Sequence, residues 1–573
     1  MDAKGLREQA DNTFGKRAGL VTLWQEMAEN FYPQRAEFTL KRSLGDEFAA
    51  NLTTSFPILC HRELSGAFGT MLRPTQKEWF EMVLGAGRKV DHEARAWLQN
   101  ATETQRKAMY DIHAMFGRAT TEGDADIAVF GQSVISVRLN EMKNQFLYRC
   151  WHMKDCAWLE DAEGKVCPIF RRWNPQAHVL RAMFDSNNHP QLITKASKQP
   201  FAEVNCLHMI VDMRLFDGDF KLSKNSAVRT DEHEMRQKHL SRNARNRPYV
   251  SIYYDCENNH LLEAVPVWSK EYAVPRWQTV SGSQYAYSPA VIAALPEARL
   301  LQAITYTLLE AGEKATNPPL IATEGAVRSD VAVYASGITW VDMEYDERFG
   351  DALRPMTIDK SGIPMGVDQQ RDSRSILRAC FFLDKIKPFL PTEDKEMTAY
   401  QAGQIVAQYI RDALPLFEPM EPEYNGQLCE LTFDLGQRNG LFGSPYDMPR
   451  SLSNADIEFR FQSPLHDAID AQKGQKFMEM KALIAEAIAM DPAAASVPNV
   501  VDSLRDALDG IRVPARWVNS EAEVDRMRAE KQEQQQAAAL LQGMQQGADI
   551  AKTGGEAMVA INDAQAQAEA VAP

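Results

Sequence analysis

Apolar residues recur at helical spacing through the first third of the chain. Leu20, Leu23, Trp24, Met27, Ala28 and Phe31 fall on one stripe, and Pro33 ends it. A polar helix precedes that stripe. A second helix is predicted over about 57–72, with Pro57 tolerated in its first turn and Ile58, Leu64, Ala67, Phe68 and Met71 on one face. A third, over about 91–116, carries Ala94, Trp97, Leu98, Met109, Ile112 and Phe116. From about residue 126 the period shortens and β-branched runs begin, as at Val134–Val137. Phe146–His152 and Val166–Phe170 read as a hairpin around the turn Asp161–Gly164. Cys206–Val211, Tyr249–Tyr254 and Leu261–Val267 read as further strands, with a polar, basic loop at Lys221–Pro248.

Helical spacing returns at Pro289–Lys314 and stops at Asn317-Pro318-Pro319. Residues 320–365 read as a small insert of short strands and glycines, and 368–386 as another helix closed by Pro388. Two helices flanking a short insert bring their ends together, so this stretch is expected to be a helical hairpin with a cap. A charged loop, 391–396, leads into a long helical stretch reaching about 436, which Pro415, Pro419 and Pro422 must break or kink. Residues 466–510 are again helical. The tail beyond Glu521 is rich in Ala, Gln and Glu, which favours helix but leaves a narrow apolar stripe. Alone it would fray; beside copies of itself it could form a barrel.

The 573 residues exceed what one core can fill, so several lobes are expected. The fold class read from the pattern is mixed α+β, predominantly α. With 78 acidic against 63 basic residues the formal charge is −15, which excludes a simple DNA-coating protein. No apolar run is long enough to span a membrane and the start lacks a signal-peptide core, so a soluble chain made in a cytoplasm is expected. Its eight scattered cysteines suit a reducing compartment.

Catalytic signatures are missing. Gly15-Lys16 and Gly164-Lys165 lack the glycine spacing and hydroxyl of a P-loop. His233-Glu234 lacks the second zinc-protease histidine, because Gln237 stands there and His239 falls on another face. Cys150, His152, Cys156 and Cys167 lack the paired knuckles of a structural zinc site and read as half-buried strand residues, and Cys60-His61 as helix core. No nucleophile elbow occurs. No catalytic residue, cofactor or metal is therefore expected.

Several segments resemble, in the same order, the portal proteins (head-to-tail connectors) of short-tailed double-stranded DNA bacteriophages. They are Trp24–Ala28 through Tyr32-Pro33, Leu64–Leu72 with Arg73-Pro74 and Trp79-Phe80, and Phe130-Gly131-Gln132-Ser133. Tyr285–Pro289 with its Asn317-Pro318-Pro319 exit is similar to the family's Y-G-x-x-P helix, with Ala286 in place of glycine. Met397–Gly403 is similar to its T-A-x-E helix start, with Gln401 in place of Glu. The similarity runs from about residue 17 to 470.

The resemblance implies a portal-type subunit with wing, stem, clip and crown regions, assembling into a ring that is usually a dodecamer at one capsid vertex. It implies a wing at 1–285, stem helices at 286–316 and 368–386, a clip at 317–367 and a channel (tunnel) loop at 387–396. The wing's long helix and strand would take 397–465, and a crown 466–573, either extended into a helical barrel or frayed. Lys385, Lys387, Glu393, Asp394 and Lys395 are the candidate channel residues, their mixed signs touching DNA phosphates without holding them; the bland alternative is a solvated helix connection. Implied partners are copies of the chain, the terminase large subunit, a tail adaptor, major capsid and scaffolding proteins, internal core proteins and DNA without sequence specificity. No membrane partner is implied. The chain would be assembled in the host cytoplasm and reside in the virion. The acidic balance fits, since every phosphate neutralised would slow sliding. A virion-internal ejection protein, or an enzyme of unrecognised chemistry, is the other reading.

Overall fold

The computed structural model describes residues 1–221 and 246–386 apart from short gaps (44, 48, 76, 86–90, 141, 143, 185–186, 324–325, 328–329, 333–338, 343–347, 349–350 and 357–360), then 415–443, 448–452, 456–461 and scattered residues between 478 and 536. Helices α1 (Ala3–Lys16), α2 (Ala18–Phe31) and α3 (Phe56–Leu72) lie where the apolar stripes placed them. Strand β1 (Phe80–Leu84) and α4 (His92–Met109) follow. The helix expected over 91–116 is thus cut short. Its continuation is a 3₁₀ turn at Ile112–Ala114, and Met115 at φ 57° ends it, opening a separate helix, α5 (Phe116–Phe130). The strands expected from 126 begin only after Gly131.

Next come β2 (Ile135–Leu139), β3 (Phe146–Cys150), β4 (Cys156–Glu160) and β5 (Val166–Trp173). The turn at Asp161–Gly164 is a hairpin, but its first arm is β4. Strand β3, expected as that arm, pairs instead with β2 in another sheet. The Asp161 carboxylate fixes the turn by accepting from the backbone N–H groups of Glu163 (2.9 Å) and Lys165 (2.8 Å). After α6 (Ala177–Met183) and α7 (Pro190–Lys198) come β6 (Cys206–Asp212), β7 (Tyr249–Asp255), β8 (His260–Val267) and β9 (Tyr272–Ala273). Strands β4 to β8 form an antiparallel five-stranded meander; β3-β2-β9 form a smaller sheet.

Helix α8 (Pro289–Thr316), β10 (Leu320–Ala322), β11 (Leu353–Pro355) and α9 (Gly362–Cys380) make the next unit. Helix α9 starts earlier than the expected residue 368, because Pro364 is compatible with a first turn. It also ends sooner, at a break where Phe382 takes φ 56°, before the short α10 (Leu383–Ile386). The chain then shows a π-helix at Glu421–Gly426, α11 (Gln427–Arg438) and β12 (Ile457–Phe461), which pairs with β1. The mixed α+β class is as read from the sequence.

The chain divides into two compact units: 1–85, 100–447 and 456–469 in the first; 86–99, 448–455 and 470–573 in the second. The first unit holds three cores. The largest joins α2, α3, α5, β2, β3, the start of α8, the end of α9 and residues 417–429. A second seats Leu6, Ala10 and Phe14 of α1 on Phe170, Met209 and Ile252 of the meander. The third seals α6 and α7 onto Cys206, Tyr253 and Leu262. In the second unit, residues 523–536 are helical and almost wholly exposed. No helix among the described residues is long and apolar enough to cross a membrane.

Candidate functional site

Helices α8 and α9 form an antiparallel hairpin. Gly366 of α9 lies against Leu308 of α8, where a Cβ would come within 2.7 Å of Leu308 Cδ2. One turn further along α9, the Gln370 amide donates to Thr305 Oγ1 at 2.9 Å. At the far end β10 and β11 pair antiparallel, Leu320 opposite Pro355, and tie the two helix ends together. An open cleft of about 710 Å³ lies there, lined by Glu313, Lys314, Asn317, Pro318 and Leu353 among others.

The root of this hairpin is where three of the sequence segments meet. Gly131 ends α5 at φ 74°, and a Cβ on it would stand 2.1 Å from the Tyr287 carbonyl carbon. Only glycine meets both conditions. The Gln132 side-chain oxygen accepts from Ala286 N (2.8 Å). Ser288 caps α8 by accepting from Val291 N (3.3 Å) while its hydroxyl donates to the Ala128 carbonyl (2.7 Å). Trp24 packs edge-on to Phe130 and Tyr285, at 6.3 and 5.8 Å between ring centres. Ala286 is buried and keeps a negative φ, so the glycine-to-alanine departure needs no left-handed turn here.

Charged residues buried around this root hold elements together. Arg35 makes a two-pronged contact with Asp126 on α5, Nε to Oδ1 at 2.9 Å and Nη2 to Oδ2 at 2.7 Å. Arg73, at the end of α3, pairs with Asp124 and donates to Asn425 Oδ1 at 2.9 Å. These partners were missed in the sequence. The signal was there, in two aspartates set inside the otherwise apolar run Gly123–Phe130.

The histidine and cysteine candidates are committed elsewhere. His61 donates from Nε2 to the Ala125 carbonyl (3.0 Å), and burial lowers its pKa to about 4. His152 accepts from Lys154 N at Nδ1 (3.1 Å) and donates from Nε2 to the Arg35 carbonyl (3.1 Å). Burial, helped by the nearby cations Arg35 and Lys154, lowers it to about 3. Burial pushes the Cys60 thiol up to about 12 and the Cys150 thiol well above its usual value, so neither is a nucleophile. Among the described residues no group of histidine, cysteine or carboxylate side chains could hold a metal. His233 to His239 lie outside the described residues.

Of the channel candidates, Lys385 is exposed on α10 with its Nζ 5.9 Å from the Phe382 ring centre. Lys387, Glu393, Asp394 and Lys395 lie outside the described residues. A different surface stands out. The outer half of the hairpin exposes large apolar side chains: Tyr306 (62% exposed), Leu309 (57%) and Met365 (74%), with Val367 beside them in sequence. Large exposed apolar side chains on these two helices are candidates for contact with a partner.

A mixed α+β body anchors a helical hairpin by buried polar contacts at its root and leaves Tyr306, Leu309 and Met365 of the hairpin's outer half exposed. The chain belongs to the family of bacteriophage head to tail connecting proteins, whose model matches residues 3–518. It is 20% identical over 550 residues to a probable portal protein of Bordetella phage BPP-1, covering 94% of this chain and 92% of that one. It is also 20% identical over 312 residues to the portal protein of Salmonella phage epsilon15, covering 54% and 55% respectively. The family resemblance read from the sequence is therefore borne out, and with it the role of a head-to-tail connector.

Proposed function

We propose that copies of this chain close into a ring, a dodecamer by the family's habit, at one vertex of the capsid, and that DNA enters and later leaves through its channel. The observation that carries this reading is the uncovered outer half of the α8–α9 hairpin. Fully burying side chains of this kind is worth about 1.5–3 kcal/mol each, so equivalent hairpins set side by side gain what a lone chain forgoes. In this reading α8 and α9 are the main part of the stem (286–316 and 368–386), whose second arm is interrupted at Phe382 before α10. The β10–β11 module is the clip (317–367), meeting the terminase large subunit and then the tail adaptor. The body at 1–285 and 397–465 is the wing, facing capsid and scaffolding proteins.

The exposed helix at 523–536 supports a crown at 466–573 facing the capsid interior and its core proteins. Fourteen residues with almost no covered face make a marginal helix alone and a stable one only against neighbours. The loop at 387–396, with Lys385, Lys387, Glu393, Asp394 and Lys395, is the channel loop. The chain works in the virion after assembly in the host cytoplasm, without catalysis of its own.

Electron microscopy of the purified chain tests the reading. Closed rings with a central hole are expected, and particles that never close at any concentration would overturn it. Deleting 389–394 should leave rings intact while impairing packaging or DNA retention; unchanged packaging would return that loop to a plain helix connection.

A further inference from the structure

Strand β2, the end of β8 and the last turn of α11 enclose a notch of about 70 Å³. Part of its lining is apolar, with Val137 and Val267 buried. The rest carries the guanidinium groups of Arg138, Arg247 and Arg438 and the carboxylate of Glu271. The indole of Trp268 also lines it and is 43% exposed. Arg438 lies over that ring at 4.7 Å from its centre, and Arg247 at 5.9 Å.

The charged groups are held in place. Arg138 sets Nε 3.1 Å from Glu271 and donates from Nη2 to the Tyr272 hydroxyl at 2.9 Å. Arg247 donates from Nη1 to the Pro266 carbonyl at 2.8 Å. Arg438 turns Nε and Nη2 to Asp434 Oδ1, at 3.0 and 2.6 Å, which leaves its Nη1 without a partner among the described residues. Three guanidiniums against the carboxylates of Glu271 and Asp434 leave one positive charge over.

Ligand pockets for small molecules run to about 300–1,000 Å³, so this notch takes the end of a single side chain. Its apolar lining suits methylene groups, and its guanidiniums suit a carboxylate. Tryptophan and arginine around a small pocket are the composition of a binding hot spot. One surplus charge is no track for a DNA backbone, which needs a series of cations. The whole chain carries −15, so two copies repel at long range and must meet where the sign reverses locally. A closed ring is built from heterologous contacts, in which a projection on one copy fits a recess on the next. We propose that the notch is such a recess: an aspartate or glutamate side chain of a second copy enters it, and its carboxylate accepts from Arg438 beside Trp268. The inference rests on the ring reading and supplies the chemistry of one contact within it.

The test uses the full-length chain. Arg438→Glu reverses a half-exposed charge, and Trp268→Ala removes the ring on which that charge is stacked. Arg118→Glu, on α5 and 77% exposed, makes the same charge change elsewhere. In sedimentation equilibrium, association should weaken about tenfold or more in the first two and stay within about twofold of wild type in the third. Equal weakening in Arg438→Glu and Arg118→Glu would be an effect of net charge and would overturn the proposal. A second measurement keeps the charge. In Arg438→Lys, carbodiimide should couple the amine at position 438 to a carboxylate of another copy, seen by mass spectrometry as mixed links between ¹⁴N- and ¹⁵N-labelled chains. Wild-type rings together with links from 438 only within one chain would overturn the proposal and leave the ring reading standing. A wild-type chain that never associates would overturn both.

Discussion

The inner and outer halves of one helix, α8, obey different rules. From Ala290 to Leu301 it buries Ala290, Val291, Ala294, Leu295, Ala298 and Leu301 in the main core. Its serine cap, Gly131 and Trp24 lock that half to the body. Beyond Thr305 the same helix turns Tyr306 and Leu309 outward, and its partner α9 does likewise with Met365. The inner half packs one face into the chain's own core while Ile292 and Leu300 stay exposed; the outer half leaves Tyr306 and Leu309 exposed, and the proposed ring would cover them.

Breaking the inner half should have the largest effects. Gly131→Val forces a β-branched residue into a left-handed conformation and against the Tyr287 backbone, so the soluble folded fraction on expression should collapse. Next is Trp24→Ala, which empties the aromatic cluster with Phe130 and Tyr285; a loss of about 3–5 kcal/mol is expected in chemical denaturation. Acid should act on the same half more mildly. His61 supports α5 in its neutral form, with a pKa of about 4 in the folded chain against an ordinary value near 6.5. As pH falls through that window the unfolded chain takes up a proton that the folded chain refuses. Stability present above pH ~6.5 is therefore lost towards pH ~4, by about 3 kcal/mol, and His152 extends the loss towards pH ~3. Denaturation midpoints measured across pH should drop accordingly, and His61→Gln should flatten the profile.

How much of this was legible in the sequence follows the same division. The apolar stripes of α2, α3 and α8 set their bounds because local spacing and Pro or Ser caps decide them. The helix over 91–116 stops at Met109, and Met115, in a left-handed conformation beside the buried Phe116, starts a new helix that the apolar spacing had merged with it. The partner of Val166–Phe170 went wrong because β3 and β4 are equally strand-like and only long-range pairing separates them. Gly131, Gln132 and Ser288 were visible as motifs but not as neighbours, since 154 residues part Gln132 from Ala286. Asp124 and Asp126 needed their arginines to be understood. Of the candidate channel residues only Lys385 lies among the described residues, and the exposed Tyr306, Leu309 and Met365 were not singled out by the sequence pattern.

The smallest effect on stability should be the most informative. Replacing Leu309 and Met365 with glutamine removes apolar groups that already face solvent, so the melting temperature of the dissociated chain should move little, by about 0.5 kcal/mol or less in free-energy terms. Analytical ultracentrifugation of that double variant beside the wild type tests the central claim most directly. The account expects a well-folded chain that stays monomeric at concentrations where the wild type forms rings. Rings of undiminished stability in the Leu309→Gln, Met365→Gln chain would contradict it.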